Sequence, residues 1–412
     1  MRKSGGVVIR MKTDKVRYLV GSDKPVVRPR VPFDEQICDF LDTFSKEILK
    51  DVVLKSYADV VSFAFWIRKA NIQKQKKEQE ASYLRLGRGL AFHIAPSNVP
   101  INAMFTFVFG LLSGNSNIVR ISSKEFPQVK LLCDKLNTVL KKEEYRQIKE
   151  ENAIIQYERD SEITDYYSSM ADVRVIWGGD RTIAEVRKAT LKPRSKDIVF
   201  ADRYSFGIIT PEYVLGLTEE KLKSLARDFY NDTYLMDQNA CSTPHMLFWL
   251  SKDKTMEKKA QDRFWKQVCI EAKRYALEDI KVSEKYTNLC LYAIKNKKSV
   301  EQRKTSVTRY DNLLYVLEEK EIPKELSKKR GKFGMFYQCS IADLDTLKSV
   351  IDAKVQTVAV AGLEKSMVQK WILENRLLGI DRIVSFGHTL DIGLIWDGYN
   401  LVSEMSRIIA CN

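Results

Sequence analysis

Residues 89–120 read GLAFHIAPSNVPINAMFTFVFGLLSGNSNIVR, and this stretch decides the fold. It predicts a buried strand over Gly89–Ala95, an apolar helix over Val99–Ser113 and a second strand over Asn117–Ile121. A proline stands near the first turn of that helix and a glycine follows its last residue, as is usual at helix ends. Continuous apolar strands joined by a helix are typical of a parallel sheet that is covered on both faces.

The same alternation continues through most of the chain. Residues 34–83 carry helical apolar spacing and predict two or three N-terminal helices. Further strands are predicted at Ala153–Tyr157, Val173–Trp177, Asp197–Ala201, His245–Leu250, Asn312–Leu317, Met335–Cys339, Thr357–Val360 and Arg382–Val384. We therefore expect an α/β protein with domains over 1–203 and 204–395 and a C-terminal segment over 396–412.

The composition excludes several classes of protein. The chain has 412 residues, enough for two or three domains, and its 44% hydrophobic and 30% charged residues exclude wholesale disorder and fibrous repeats. The net charge of +14 favours an anionic partner, although surplus lysine on solvated helices explains it as well. Seven cysteines are too few for a disulfide scaffold, so reduced thiols are expected.

The sequence also predicts where the protein works and what it does not bind. Charged residues run through 1–12 without an apolar core, so we expect no signal peptide. The longest apolar run, Ile101–Leu112, is shorter than the roughly 20 residues of a membrane span, so a cytoplasmic protein is expected. The basic run Lys69–Lys77 lacks interleaved aromatic residues, so nucleic-acid binding is not predicted. No CxxC or HExxH motif is present, so no metal site is predicted.

Asn98 lies between the first strand and the apolar helix, in the sequence Ala95-Pro96-Ser97-Asn98-Val99-Pro100. There its side-chain amide, beside a helix N-terminus, could stabilise an oxyanion. The alternative is an ordinary role, in which Ser97 or Asn98 caps the helix.

Cys241 is the cysteine with an unusual setting, because it follows a helix through the polar turn Asp237-Gln238-Asn239-Ala240 and precedes a strand. A reactive thiol of that kind needs backbone N–H groups or a cation nearby. The alternative is a small buried hydrophobic residue.

Two further segments suit a phosphorylated ligand. Gly178-Gly179 joins a strand to a helix and could bring backbone N–H groups near a phosphate, although two glycines are a weak signal. Arg120, Ser122, Ser123 and Lys124 end a strand, where a cation and hydroxyls could meet a ribose phosphate.

These features occur in the order of the aldehyde dehydrogenase superfamily, and the chain resembles its acyl-CoA reductase (LuxC-type) branch. The resemblance rests on the 89–120 block, on Asp237–Ser242, and on Gly379–Val384 with Trp396–Tyr399. It implies an aldehyde dehydrogenase-like fold with a parallel-sheet dinucleotide-binding domain and a second α/β catalytic domain.

The resemblance also implies roles for single residues. Cys241 matches the nucleophile that takes the acyl group, and Asn98 matches the side-chain half of the oxyanion hole. Arg120, Ser122, Ser123 and Lys124 fall at the adenosine ribose, where Ser123 replaces a glutamate typical of NAD-preferring members. NADPH is therefore the expected cofactor, although Glu125 lies close by. Gly178 and Gly179 match the turn near the pyrophosphate.

One departure from the superfamily bears on the reaction. Hydrolytic members carry a general-base glutamate where this chain has Ala201-Asp202-Arg203-Tyr204. Without that base an acyl-cysteine should persist for reduction, although Asp202 could take the role. The expected reaction is therefore NADPH-dependent reduction of a fatty acyl thioester to a fatty aldehyde.

Partners and alternative functions stay open at this point. The resemblance implies an acyl-CoA or acyl-carrier thioester as donor, an acyl-protein synthetase as a partner, and a homo-oligomer as an option. The alternatives are an acylating reductase for short acyl-CoA or acyl phosphate, a non-catalytic or nucleic-acid-binding protein, and a docking subunit for an acyl-activating partner.

Overall fold

The computed structural model describes residues 15–79, 83–295 and 305–411. The N-terminal residues 1–12, which predict the absence of a signal peptide, lie outside these ranges. The described chain forms two compact units, one up to Ala201 together with the segment from Tyr399, the other Asp202–Gly398. The sequence places the boundaries after residues 203 and 395, with 396–412 as a separate segment.

The first unit is built on a six-stranded sheet of order β1-β5-β4-β3-β6-β7, in which only the edge strand β1 is antiparallel to its neighbour. Every residue of β3 and β6 is buried, as the continuous apolar runs predict. The strands of this unit up to residue 201 are β1 (Arg17–Val20), β2 (Leu84–Gly87), β3 (Leu90–Ile94), β4 (Ser116–Ile121), β5 (Asn152–Gln156), β6 (Val173–Trp177) and β7 (Lys196–Phe200).

Helices cover this sheet, and the apolar helix α4 is buried from Ala103 to Leu112. The predicted N-terminal helices form, and Asp34 caps the first of them by accepting a hydrogen bond from the Ile37 N–H. The helices are α1 (Glu35–Lys50), α2 (Ala58–Trp66), α3 (Lys69–Glu78), α4 (Asn102–Leu112), α5 (Pro127–Val139), α6 (Arg146–Glu151), α7 (Ser161–Met170) and α8 (Asp180–Val186). Short 3₁₀ helices occupy Leu54–Ser56 and Glu143–Tyr145.

The second unit has a seven-stranded sheet of order β10-β11-β12-β9-β8-β13-β14, parallel except for the pairing of β10 with β11. Two apolar clusters pack within this unit, and each draws side chains from several of its strands. Its strands are β8 (Tyr204–Ile209), β9 (Pro244–Leu250), β10 (Thr305–Tyr310), β11 (Leu314–Glu319), β12 (Met335–Ile341), β13 (Val355–Ala361), β14 (Arg382–Ser385) and β15 (Ile395–Trp396).

The helices of the second unit differ from prediction in three places, and one of them is the short helix over Pro211–Gly216, which the sequence pattern does not predict. A helix over Asp279–Lys295 is not predicted by the sequence pattern, and the helix predicted at Leu344–Ala353 is a 3₁₀ helix over Leu344–Val350. The helices are α9 (Pro211–Gly216), α10 (Glu219–Thr233), α11 (Lys254–Ala272), α12 (Asp279–Lys295) and α13 (Lys365–Asn375), with 3₁₀ helices also at Tyr234–Met236 and Leu326–Lys328.

The last residues return to the first unit. They form β16 (Tyr399–Asn400), α14 (Leu401–Met405) and β17 (Ser406–Ile409). Strand β17 pairs antiparallel with β2, so the segment expected to be separate at the C-terminus is built into the first unit.

Candidate active site around Cys241

Cys241 lies in the second unit, between the end of α10 and the start of β9. A 3₁₀ turn follows α10, and the polar segment after it leads to Pro244, the first residue of the strand. This is the helix–turn–strand setting that the sequence predicts. Cys241 is half-buried, as are Cys269 and Cys290. Of the other described cysteines, Cys38, Cys133 and Cys339 are buried and Cys411 is exposed.

The loop before Cys241 has an unusual backbone that its side chains hold in place. Asp237 and Gln238 both have positive φ, 52° and 59°, which non-glycine residues rarely adopt. The Gln238 side chain donates to the Met335 carbonyl over 3.0 Å and accepts from the Gly334 N–H over 2.6 Å. The Asp237 carboxylate accepts from the Tyr275 hydroxyl. These contacts fix the position of the cysteine that follows.

Some groups around the Cys241 sulfur raise the pKa of its thiol and others lower it. Burial is the largest effect and raises the pKa of the Cys241 thiol. The Arg203 backbone N–H hydrogen-bonds to the sulfur and lowers that pKa, as does the charge of Arg330, whereas the carboxylates of Asp397 and Asp202 raise it. Since the net pKa is raised, the neutral thiol predominates at neutral pH in the free protein.

Arg203 takes part in a network of buried and half-buried charges. Its guanidinium pairs with Asp381, lies 4.0 Å from Asp397 Oδ1 and donates to the Val355 carbonyl over 3.0 Å. Its side chain is 13% exposed and that of Asp397 4%, so these charges are largely removed from water. The network fixes the backbone whose N–H faces Cys241.

Asp202, the alternative base, is paired. Arg330 Nη2 lies 3.0 Å from Asp202 Oδ1, and the same nitrogen donates to the Arg203 carbonyl over 2.7 Å. The carboxylate therefore sits in an ion pair beside the Cys241 environment.

Asn98 does not cap a helix, so the capping role considered for Ser97 or Asn98 is wrong. Helix α4 begins at Asn102, three residues after the predicted start, and its N-cap is Ile101 without a side-chain bond. Val99 and Pro100 instead accept the first turn-like bonds, from the Asn102 and Ala103 N–H groups. The Asn98 side chain is exposed in the loop after β3, in the first unit.

The residues predicted to bind the ribose end β4, at the carboxyl edge of the first sheet. Arg120 is half-buried, donates to the Tyr157 carbonyl over 3.2 Å and stacks on that ring, with 5.2 Å from its guanidinium carbon to the ring centroid. Ser122 Oγ accepts from the Lys124 N–H over 3.1 Å, and Ser123 is half-buried. In the described part of the chain neither Arg120 nor Lys124 forms an ion pair with a carboxylate.

Gly178 and Gly179 link β6 to α8, as predicted. A Cβ at Gly179 would meet no atom within 4 Å, so the backbone there is open to a ligand. The helix that follows spans Asp180–Val186 and is shorter than the predicted Gly179–Ala189. Its first turn carries an acidic residue. A role for this turn at a pyrophosphate stays a prediction.

Two kinds of feature are not found in the described residues. Across 15–79, 83–295 and 305–411, no three His, Cys, Asp or Glu side chains are grouped closely enough to hold a metal ion. Within the same ranges, every helix is too short or too polar to cross a lipid bilayer.

Sequence reasoning missed the side chains that hold Cys241 in place. Gln238 is part of the motif but had no assigned role, and its positive φ has no sequence signal outside glycine, asparagine and aspartate. Arg203 and Arg330 are 127 residues apart, and nothing in their local patterns marks them as partners.

Comparisons with known proteins agree with this architecture. The family model for acyl-CoA reductase (LuxC) matches residues 41–408. No curated protein matches the sequence. Among solved structures, the chain resembles 1-pyrroline-5-carboxylate dehydrogenase of Thermus thermophilus, with 12% identity, a TM-score of 0.60 and coverage of 91% of this chain and 80% of that one.

Two other solved structures show the same fold. Lactaldehyde dehydrogenase from Escherichia coli has 11% identity and a TM-score of 0.59, covering 90% of this chain and 85% of that one. NADP-dependent glyceraldehyde-3-phosphate dehydrogenase from Bacillus halodurans, complexed with NADP, has 14% identity and a TM-score of 0.57, with the same two coverages. The expected aldehyde dehydrogenase-like fold is therefore confirmed, and since the family model covers most of the sequence, this chain belongs to the acyl-CoA reductase (LuxC) family.

Proposed function

We propose that this protein reduces a fatty acyl thioester to a fatty aldehyde with NADPH, through an acyl group held on Cys241. The observation that carries the proposal is the setting of Cys241: a half-buried thiol on a loop fixed by side-chain bonds, with the Arg203 N–H on its sulfur. Membership in the acyl-CoA reductase family supports the class of reaction.

The chain's own residues account for the acyl-transfer half of the reaction. The Cys241 thiol first loses its proton to solvent. The thiolate then attacks the carbonyl carbon of the donor thioester, and the carbonyl electrons move to oxygen. In this proposal the Asn98 amide and the Cys241 N–H donate to that oxyanion. The oxyanion then collapses, the donor's C–S bond breaks, and the donor thiolate leaves with a proton from solvent. Acyl-Cys241 remains.

The second half needs an electron pair that the chain itself does not supply. When bound, NADPH supplies a hydride to the thioester carbonyl, and expulsion of the Cys241 thiolate gives the aldehyde. Arg203 is a cation, and the Asp202 carboxylate pairs with Arg330. In this proposal neither activates water against acyl-Cys241. The thioester is thereby reserved for reduction.

The first unit offers groups that suit NADPH. Arg120 and Lys124 are cations without carboxylate partners among the described residues, and Ser122 and Ser123 add hydroxyl groups at the same strand end. A cationic strand end suits a 2′-phosphate. Gly178 and Gly179 would lie against the pyrophosphate, where the open backbone at Gly179 leaves room.

The donor, the partners and the location belong to the same proposal. We propose a fatty acyl-CoA or acyl-carrier thioester as donor, an acyl-protein synthetase as a partner, and the cytoplasm as the site of action. The net charge of +14 supports an anionic donor such as CoA. A homo-oligomer is compatible with these features.

The test is a spectrophotometric assay of NADPH consumption. The purified full-length chain is given acyl-CoAs of increasing chain length, and also acyl phosphates, with aldehyde measured at the end. The proposal predicts NADPH oxidation and stoichiometric aldehyde with long-chain acyl thioesters. Activity confined to short acyl-CoA or to acyl phosphate would replace it with the other acylating reaction. Absence of NADPH oxidation with every donor would contradict it.

A further inference from the structure

We propose that Arg330 is a positioning residue for the nucleophile: it fixes the peptide between Arg203 and Tyr204 and pairs with the carboxylate of Asp202. The inference rests on the proposed role of Cys241 as nucleophile, and it assigns a task to a residue far from the cysteine in sequence. It concerns contacts within the second unit alone.

The geometry ties Arg330 to the backbone next to the sulfur. Arg330 Nη2 donates to the Arg203 carbonyl over 2.7 Å, and its Nε donates to the Ser327 carbonyl over 3.1 Å. The guanidinium carbon lies 5.8 Å from the centre of the Tyr204 ring. The Arg330 guanidinium is therefore held by the Ser327 carbonyl and the Tyr204 ring. It bonds in turn to the carbonyl of Arg203, and the N–H of Arg203 bonds to Cys241.

The second role of Arg330 concerns the ionisation of Cys241. Four groups act on Cys241 besides burial: the Arg203 N–H and the Arg330 charge favour the thiolate, whereas Asp202 and Asp397 oppose it. Asp397 pairs with Gln356 and lies near Arg203, and Asp202 pairs with Arg330 itself. The charge of Arg330 thus favours the thiolate, and its guanidinium also pairs with one of the two opposing carboxylates.

An arginine suits this position better than a lysine does. Arg330 contacts a carbonyl, a carboxylate and a second carbonyl at once, which a planar fork of several N–H donors achieves and a single ammonium group does not. A lysine would keep the charge but lose part of the hold on the Arg203 peptide. An uncharged glutamine would lose the charge and keep at most one hydrogen bond.

The experiment measures the rate at which iodoacetamide alkylates Cys241 as a function of pH, followed by mass spectrometry of the Cys241 peptide. It uses the full-length chain as wild type, Arg330→Gln and Arg330→Lys. Lys332→Gln serves as the matched control, because Lys332 lies two positions along, is half-exposed and pairs with Glu284 instead. Reaction requires the thiolate, so the midpoint of each curve reports the ionisation of Cys241.

We expect Arg330→Gln to move the midpoint to higher pH. Alkylation at pH 7.5 should then slow by about tenfold for every whole pH step by which the midpoint rises. The rate plateau at high pH should stay within about twofold of the wild-type rate. Arg330→Lys should move the midpoint in the same direction by less, and Lys332→Gln should leave it unchanged. If Arg330→Gln does not fold, the midpoint of Arg330→Lys decides.

Unchanged midpoints in the folded Arg330 variants would overturn the proposal, and so would a rate loss that is equal at every pH, since that is what a purely structural role produces. Alkylation needs neither acyl donor nor NADPH. A raised midpoint in a protein that reduces no acyl thioester would therefore refute the proposed function and leave Arg330 in its role. A protein that reduces acyl thioesters but whose Arg330 variants have an unchanged midpoint would refute the role of Arg330 and leave the proposed function in place.

Discussion

The Ser205 hydroxyl donates a hydrogen bond to the carbonyl oxygen of Cys241 over 2.7 Å. The same Ser205 oxygen accepts from the Thr357 backbone N–H over 3.2 Å, so one buried side chain joins the start of β8, the start of β13 and the nucleophile loop. These two bonds hold the backbone of Cys241 at a defined place on the edge of the sheet before any substrate binds.

Ser205→Ala should destabilise this unit and slow acylation together. The substitution leaves the Cys241 carbonyl without this donor and the buried Thr357 N–H without this acceptor, which costs about 1–3 kcal/mol for an unsatisfied buried group. Urea denaturation checks the free energy of unfolding, and Ser366→Ala, on an exposed position of α13, is the control. A Ser205→Ala protein as stable as the control, with unchanged acylation, would show that the bond has no such role.

Asn98→Ala should lower turnover by about 10²–10³-fold, the usual loss for an oxyanion donor. Because an oxyanion donor acts on the reacting carbonyl, the loss should appear in kcat. Ser97→Ala is the matched control, since Ser97 is exposed in the same loop. A loss below tenfold in steady-state assays, or an equal loss in both variants, would remove Asn98 from the oxyanion hole.

Lys124→Ala should weaken NADPH more than NADH, because its exposed ammonium group is free of carboxylate partners in the described residues. Arg120→Ala should also raise the KM for NADPH more than the KM for NADH. It should in addition weaken the binding of both cofactors, since Arg120 bonds to the Tyr157 carbonyl. KM values for the two cofactors separate these effects. Equal losses for NADPH and NADH in both variants would take this strand end out of phosphate recognition.

Asp232 should make the free energy of unfolding fall as the pH rises. Its carboxylate accepts from the Gly387 and Thr389 N–H groups, and burial raises its pKa from 3.8 to about 6. The folded protein then binds this proton more tightly than the unfolded chain does. The contribution is therefore full below about pH 4 and is lost as pH rises through about 6.

Comparison of wild type with Asp232→Asn isolates this contribution. The wild-type advantage in unfolding free energy should be larger at pH 4 than at pH 7, by roughly 3 kcal/mol at most. Glu220→Gln, an exposed change on the same helix, should show no such difference. An advantage that grows from pH 4 to pH 7 would contradict the raised pKa of Asp232.

Much of the fold could be predicted because apolar runs in parallel strands are continuous. Gly89–Ala95 and Val173–Trp177 are of this kind, and both strands form. Strand β8 escapes prediction even though its six residues are all buried, because it starts at the domain boundary beside polar residues. The predicted start of α4 is misplaced because Val99 and Pro100 form turns before the helix begins.

The site was only partly predictable. Cys241 is marked by the polar turn before it, which is a local signal. Gln238 belongs to the same loop as Cys241. The other residues that fix this loop or act on the charge of its thiol come from elsewhere in the chain: Ser205, Arg203 and Arg330. Arg203 and Arg330 are 127 residues apart, and Ser205 and Thr357 are 152 residues apart. A single sequence carries no trace of such pairs.

The most direct test of the central claim is a single-turnover experiment on Cys241, read by mass spectrometry of the whole protein. Wild type mixed with a long-chain acyl thioester should gain one acyl group, mapped to Cys241, and addition of NADPH should remove it with release of one equivalent of aldehyde. Cys411→Ala, which removes the exposed cysteine, should behave as wild type does. Aldehyde formed at the wild-type rate by Cys241→Ala, or an acyl group that persists on Cys241 after NADPH is added, would contradict the account.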